Sequence, residues 1–201
     1  NKFYKNFFSA TIGSSTLHIS AFIDTWLASF LISGSISYLY YANRVFQLPL
    51  AIFAIATSIA LFPMIAKAIK NKDENRALHL MKKSSLILFA VLSTSMLIGI
   101  VFNEFIVKLL FERGAFNSVD TQNTALILTM YLMGLLPFGL AKIFSLWLYA
   151  NEQQYLSAKI SMKSLAWNIV FSLILIKPYG AAGLAFASTL SGFILFFLTI
   201  K

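Results

Sequence analysis

The amino-acid sequence predicts an all-α fold, a polytopic transmembrane helical bundle of about six spans. Of its 201 residues 59% are hydrophobic and only 11% are charged, whereas roughly a quarter of the residues in an average soluble domain are charged. Most charges lie in short links between apolar stretches of roughly twenty residues, the length that crosses about 30 Å of hydrocarbon. No stretch alternates like a barrel strand. A water-soluble fold is therefore excluded.

The predicted spans form a single lobe over residues 1–201, and they cover residues 7–31, 38–65, 86–107, 124–149, 156–176 and 181–200. No short apolar run is followed by a polar mature chain, so a signal peptide is not predicted. The missing initiator Met and the apolar run that ends at Lys201 predict a fragment of a longer chain. Cysteine is absent, which excludes disulfides and thiolate metal sites within these residues.

The basic residues predict the orientation of the spans. The link 32–37 carries none of them. The link 67–83 carries six: Lys67, Lys70, Lys72, Arg76, Lys82 and Lys83. The basic link is therefore predicted to be cytoplasmic. Topology and anionic membrane lipids then explain the net charge of +9, and no nucleic acid is expected as a partner. We expect this link to form a short surface helix with Asp73 as its N-cap, serving as a solvated connector; a regulatory site is the alternative.

Polar side chains inside the first span predict a bundle interior or a watery pathway. Ser9, Gly13, Thr16, Ser20 and Asp24 share one helical face, and Thr11, Ser14, His18, Thr25 and Ser29 share nearly the opposite one. Two polar sides cannot both face acyl chains. The hydroxyls could equally form hydrogen bonds between closely packed helices. A core histidine whose ring nitrogens are hydrogen-bonded explains His18 better than a ligand or a proton relay does. Asp24 is the candidate coupling residue.

Arg44 is the strongest candidate for substrate binding. It stands in the second span between Asn43 and Gln47, and its guanidinium keeps its charge while it can grip a phosphate with two parallel hydrogen bonds. Snorkelling to the interface is the alternative reading. Lys142 in the fourth span is a second candidate cation, with the same alternative.

Two further patterns concern moving parts and a cation site. Pro49 in the second span, and Pro137 with Gly134 and Gly139 in the fourth, predict kinks. Oxygen-bearing residues in the last two spans could join Asp24 around a small hard cation such as Na⁺, or could simply bond between helices: Asn168, Ser172, Ser188 and Thr189. Asn168 and Ser172 are four residues apart and therefore share a helical face.

Three segments carry a family resemblance: GSISYLYYANRVFQLPLAIFAIATSIALFPMIAK (34–67), LLFERGAFNSVDT (109–121) and KPYGAAGLAFASTL (177–190). They resemble the corresponding segments of the MurJ (MviN) lipid II flippase family of the MOP transporter superfamily. The resemblance implies the second lobe of a longer flippase in the bacterial inner membrane, whose two lobes enclose a cavity for a lipid-linked cell-wall precursor. The first lobe and the final spans of its own chain would be its partners, together with membrane lipids.

The resemblance also assigns roles to residues. Arg44 matches the arginine that meets the pyrophosphate, with Asn43 in place of the family's usual Asp. We hypothesise in addition that Lys142 adds positive potential to the cavity and that Gln47 and Asn43 contribute to substrate binding beside Arg44. Asp24, Asn168 and Ser188 match a cation site in which Ser172 replaces an acid. Alternating access is implied, with Na⁺ or H⁺ coupling as an expectation and no other cofactor.

The polar spans alone are also compatible with other functions. A polysaccharide-lipid or multidrug exporter of the same superfamily would show similar polar spans, and a non-transport assembly subunit is a further alternative. An enzyme is not expected, because two histidines and no cysteine give little material for a base, a nucleophile or a metal set.

Overall fold

The structure, a computed structural model, describes residues 19–20 and 22–201, and that part of the chain contains helices and no strand. The helices are α1 (19–20 and 22–28), α2 (Ser35–Pro49), α3 (Ala56–Lys70), α4 (Glu74–Val101), α5 (Asn103–Phe111), α6 (Ser118–Leu132), α7 (Leu135–Ala150) and α8 (Gln154–Ile200). A π-helical segment, Leu50–Ile55, joins α2 to α3. The predicted all-α fold is confirmed.

Four helical stretches among the described residues are long and apolar enough to cross a membrane: Ser35–Lys70, Glu74–Val101, Ser118–Ala150 and Gln154–Ile200. The last covers both of the final predicted spans and is broken at Gly180, whose φ of 55° and ψ of −132° leave the helical region. Glycine adopts this conformation readily because it has no Cβ. Residues 7–18 and Ala21 of the first predicted span lie outside the described residues.

The predicted irregularities occur in the second and fourth spans. Pro49 ends α2 and the wider π-helical turn follows it, in keeping with the hydrogen bond that proline cannot donate. The fourth span divides between α6 and α7 beside Gly134. Pro137 lies in the first turn of α7, where a missing N–H needs no helical partner. Gly139 admits the side chain of Leu92, which a Cβ there would overlap.

The prediction of a separate surface helix in the basic link is wrong. Helix α3 continues through Lys70, and α4 starts at Glu74 and runs unbroken to Val101. The Asp73 carboxylate does cap α4, accepting a hydrogen bond of 3.1 Å from the Arg76 backbone N–H. The residues after this cap are mostly good helix formers and include neither Gly nor Pro before Gly99. The charged turns are therefore the first turns of a spanning helix.

Polar contacts distinguish the two ends of the bundle. At one end the Tyr38 hydroxyl, at the start of α2, donates to Asp120 Oδ1 at 2.6 Å near the start of α6. At the end of α7, the hydroxyl of Ser157 in α8 donates to the Tyr149 oxygen at 3.2 Å. The first of these ends is the predicted outer side and the second the predicted cytoplasmic side. Orientation in the membrane stays a prediction.

The core lies along α6 and α7, whose Leu128, Leu135 and Ile143 are fully buried. Helix α4 instead lies at the periphery and exposes large apolar side chains such as Leu86 (72% exposed) and Val101 (72%). In a soluble protein so much exposed apolar surface would promote association. In a bilayer it meets acyl chains, so this surface supports the membrane-spanning architecture.

Candidate functional site

A buried carboxylate stands where α1 meets the two halves of α8. Asp24 is only 7% exposed. Its Oδ1 accepts a hydrogen bond of 3.3 Å from Ser172 Oγ, and its Oδ2 accepts one of 3.1 Å from Ser188 Oγ. Ser172 precedes the break at Gly180 and Ser188 follows it, so this one side chain connects three helical segments.

An amide extends this group of polar side chains. Asn168 Nδ2 donates to Ser188 Oγ at 3.2 Å, and Asn168 Oδ1 accepts from Ser20 Oγ at 3.0 Å. Of the residues predicted for the cation site, Thr189 is bonded elsewhere, since its hydroxyl donates to the Met130 carbonyl at 2.6 Å. The structure brings together the other four, Asp24, Asn168, Ser172 and Ser188, and adds Ser20 from the same face of α1 as Asp24. We call these five residues the Asp24 cluster.

The donor atoms of the Asp24 cluster suit a small hard cation. One carboxylate, one amide carbonyl and several hydroxyl oxygens are the ligand types that such ions prefer. A single carboxylate matches the charge of a monovalent ion. Among the described residues, no three His, Cys, Asp or Glu side chains gather into a metal site. Ser172 and Ser188 donate hydrogen bonds to Asp24, and each hydroxyl oxygen keeps at least one lone pair with which it could bind a cation.

Arg44 lies on an exposed face of α2. Its Nη2 donates to the Tyr40 hydroxyl at 3.1 Å, and its guanidinium carbon is 4.8 Å from the centre of the Tyr40 ring. Within the described part of the chain, no salt bridge to Arg44 is formed. Since a guanidinium carries five N–H donors, most of its capacity to bind an anion remains free.

The other two predicted binding residues of α2 lie beside Arg44. The side-chain amide of Gln47 donates to Asn43 Oδ1, as expected for residues four apart on a helix. We call Tyr40, Asn43, Arg44 and Gln47 the Arg44 face.

Lys142 does not join this face. It is half-buried on α7, one turn after Phe138, whose ring lies 6.2 Å from that of Phe46 on α2. Phe46 is buried whereas Arg44 is exposed, because positions two apart on a helix point in nearly opposite directions. Phe46 and Arg44 are thus on different sides of α2, and Lys142 lies on α7, the helix whose Phe138 contacts Phe46.

Sequence reasoning missed one residue between the two groups. Tyr131 of α6 is buried and stacks on Phe46, with ring centroids 5.7 Å apart. It lies beside Asn43 and within electrostatic range of Asp24. A hydroxyl-bearing ring well inside an apolar span was the available signal, because a buried tyrosine needs a partner for its O–H. His18, the other polar candidate of the first span, lies outside the described residues.

Comparison with known proteins decides the family. The family model described as "Lipid II flippase MurJ" matches residues 1–201. The chain belongs to the MurJ family. A "Probable lipid II flippase MurJ" of Helicobacter pylori strain J99 is 53% identical over 199 residues, which are 99% of this chain and 43% of the relative. Another from Buchnera aphidicola subsp. Baizongia pistaciae is 32% identical over 200 residues, 100% of this chain and 39% of the relative.

Solved structures agree with this assignment. The structure described as "Lipid II flippase MurJ, inward closed conformation" superimposes with a TM-score of 0.86 at 27% identity, over 94% of this chain and 40% of that one. A MOP superfamily transporter from Pyrococcus furiosus shares the fold alone, with a TM-score of 0.84 at 16% identity over 96% of this chain and 42% of that one.

The chain therefore spans about two fifths of the length of these MurJ relatives. With its long apolar helices it is a multi-pass protein of the bacterial inner membrane.

Proposed function

We propose that the chain is the lobe of a lipid II flippase that supplies Arg44 for binding the pyrophosphate of the lipid-linked precursor. The observation that carries the proposal is the Arg44 face, where an arginine of a membrane-spanning helix lies exposed and forms no salt bridge within the described residues. A charge at such a position is costly unless an anion or water meets it. Membership of the MurJ family makes lipid II the expected anion.

The neighbours of Arg44 fit this role. Tyr40 holds the guanidinium through a hydrogen bond and through its ring, which limits the conformations that the side chain samples before the substrate arrives. Gln47 and Asn43 add amide groups that can bond to sugar or phosphate oxygens. Lys142 would act at longer range, through its positive potential inside the lobe.

The reaction would be a transport step without covalent change. The first lobe and the remaining spans of the longer chain would complete the cavity, and the two lobes would rock to open it to either side in turn. Asp24, Asn168, Ser172 and Ser188 would hold a small cation, which supplies positive charge to offset the buried carboxylate. A transporter, and no enzyme, is the function that these groups support.

The test is the replacement of Arg44 in the full-length protein. One charge-assisted hydrogen bond to a phosphate contributes about 1.5–3 kcal/mol, so the loss of even one such bond in Arg44→Ala is expected to weaken lipid II binding by at least roughly 10- to 150-fold. Arg44→Lys keeps the positive charge but loses the planar guanidinium that can form two parallel hydrogen bonds. We therefore expect it to weaken lipid II binding less than Arg44→Ala does. Binding is measured with purified protein in lipid nanodiscs, and transport by the share of lipid II that an externally added lipid II-cleaving enzyme can reach in cells.

The matched control is Arg113→Ala, which removes another exposed arginine, in the link between α5 and α6 at the predicted outer end of the bundle. It is expected to leave lipid II affinity and transport unchanged. Undiminished binding and transport in Arg44→Ala would refute the assigned role. An equal loss of binding in both variants would mean that any exposed positive charge has this effect, and that Arg44 has no specific role. A wild-type protein that binds no lipid II would favour another exporter of the superfamily.

A further inference from the structure

The break between α6 and α7 is closed by a side chain from α8. In a regular helix the Gly134 N–H would bond to the Met130 carbonyl, four residues earlier. It donates instead to the Tyr131 carbonyl at 2.9 Å, and the Met130 oxygen accepts a hydrogen bond of 2.6 Å from Thr189 Oγ1. A Cβ at Gly134 would lie 2.8 Å from that hydroxyl, so this close approach depends on glycine.

Thr189 is also the neighbour of a residue in the Asp24 cluster. Ser188 donates to Asp24 and accepts from Asn168. Two consecutive residues of α8 therefore bond to two different parts of the lobe, Ser188 to the cluster and Thr189 to the break in the fourth span. A displacement of this short piece of backbone must change both sets of contacts.

The break in turn leads to the Arg44 face. Met130, which accepts from Thr189, precedes Tyr131, which stacks on Phe46 and lies beside Asn43. Asn43 is bonded to Gln47 and is adjacent in sequence to Arg44. A continuous series of contacts, most of them at least partly buried, thus joins the cluster to the candidate anion site, and packed interiors pass such displacements on.

We propose that Thr189 and Tyr131 are positioning residues that couple Na⁺ binding at the Asp24 cluster to anion binding at Arg44. This inference rests on the proposed function. Ser188 donates to Asp24 and accepts from Asn168, so a cation that draws the Asp24 carboxylate and the Ser188 oxygen toward itself changes a contact next to Thr189. Through the Met130 carbonyl and the Tyr131 ring, that change reaches Asn43 and the orientation of the Arg44 face.

Coupling of this kind is reciprocal and measurable. If Na⁺ strengthens lipid II binding by some factor, lipid II must strengthen Na⁺ binding by the same factor, and factors of about 5–150 are typical. The quantity to compare between variants is therefore the ratio of the two lipid II dissociation constants, without and with sodium. A residue with a merely structural role changes both constants together and leaves this ratio unaltered.

The experiment measures lipid II binding to the full-length protein in nanodiscs, in sodium chloride and in choline chloride at equal ionic strength. For the wild type we expect a ratio of about ten. Thr189→Val removes the hydroxyl at nearly constant volume, and Tyr131→Phe removes the phenolic O–H while keeping the ring on Phe46. Each is expected to lower the ratio to below about two, and Thr189→Ser is expected to restore it. Calorimetric titration with sodium chloride in the presence and absence of lipid II should give the same ratios.

Two controls match the substitutions. Thr199→Val removes a hydroxyl that bonds only within α8, to the Leu195 carbonyl at 2.7 Å, and Tyr179→Phe alters an exposed ring; both should keep the wild-type ratio. A wild type that binds lipid II through Arg44 but is indifferent to sodium would overturn the inference and leave the proposed function standing. Unchanged ratios in Thr189→Val and Tyr131→Phe, or equal losses in the controls, would overturn it as well.

Discussion

Replacing Asp24 with Asn separates the structural role of this side chain from its charge. Asparagine has the same size as aspartate, and the hydroxyls of Ser172 and Ser188 can each donate or accept a hydrogen bond. Both contacts can therefore persist, with one serine donating to the amide oxygen and the other accepting from the amide NH₂. Hydrogen bonds between membrane helices contribute on average about 0.6 kcal/mol each. Even the loss of both bonds to Asp24 would therefore lower the free energy of unfolding by only about 1.2 kcal/mol.

The effect on cation binding is expected to be larger. A ligand that binds only the folded state stabilises it by about 2.7 kcal/mol when its concentration is a hundred times its dissociation constant. An amide oxygen lacks the full negative charge that offsets the dehydration of a sodium ion. Asp24→Asn should therefore abolish sodium-dependent stabilisation while changing stability without sodium by less than half of that amount.

The assay is the unfolding midpoint of the full-length protein in sodium chloride and in choline chloride at equal ionic strength. Asp73→Asn is the matched control, because asparagine also caps helices well and Asp73 lies far along the sequence from the cluster, at the start of α4. A sodium-dependent rise that survives Asp24→Asn would refute the reasoning. So would a rise that disappears equally in Asp73→Asn, or a wild type that shows no rise.

Two further predictions concern the scaffold. Asn117 forms a capping box with Asp120 at the start of α6, so Asn117→Ala should lower the free energy of unfolding by about 1 kcal/mol; chemical unfolding measures this, with Asn117→Asp as the control that keeps the cap. Gly183 packs where a Cβ would overlap the Leu175 carbonyl, so Gly183→Ala should cost about 1–3 kcal/mol in the same measurement, and an unchanged midpoint would contradict the packing after Gly180.

Local rules predicted much of the fold. The cap at Asp73, the disturbance after Pro49 and the break beside Gly134 follow from backbone chemistry that a few neighbouring residues determine. The prediction of a separate surface helix is wrong because charged residues alone do not end a helix. Lys82 and Lys83 are good helix formers, and nothing between Asp73 and Leu86 interrupts the backbone hydrogen bonds of α4.

The candidate site could be predicted only in part. The spacing of Asn168 and Ser172 predicts that they share one face, and their oxygen atoms suggest Asp24 as a partner around a cation. The resemblance to the MurJ family supports the same grouping of Asp24 with Asn168 and Ser188. Ser20 reaches Asn168 across 148 positions of sequence, and Thr189 reaches Met130 only because α6 ends where it does. Contacts of this kind depend on how whole helices pack, which no local pattern contains.

The peripheral position of α4 has a practical consequence for observing the protein at work. Side chains such as Leu86 and Phe89 border lipid and have few protein neighbours, so their shape can change with little effect on packing. These 201 residues contain no cysteine, and a cysteine introduced at Leu86 would offer a single attachment point in this lobe for a spin label or a fluorophore. Paired with a second label in the rest of the longer chain, it would record the distance between lobes during transport.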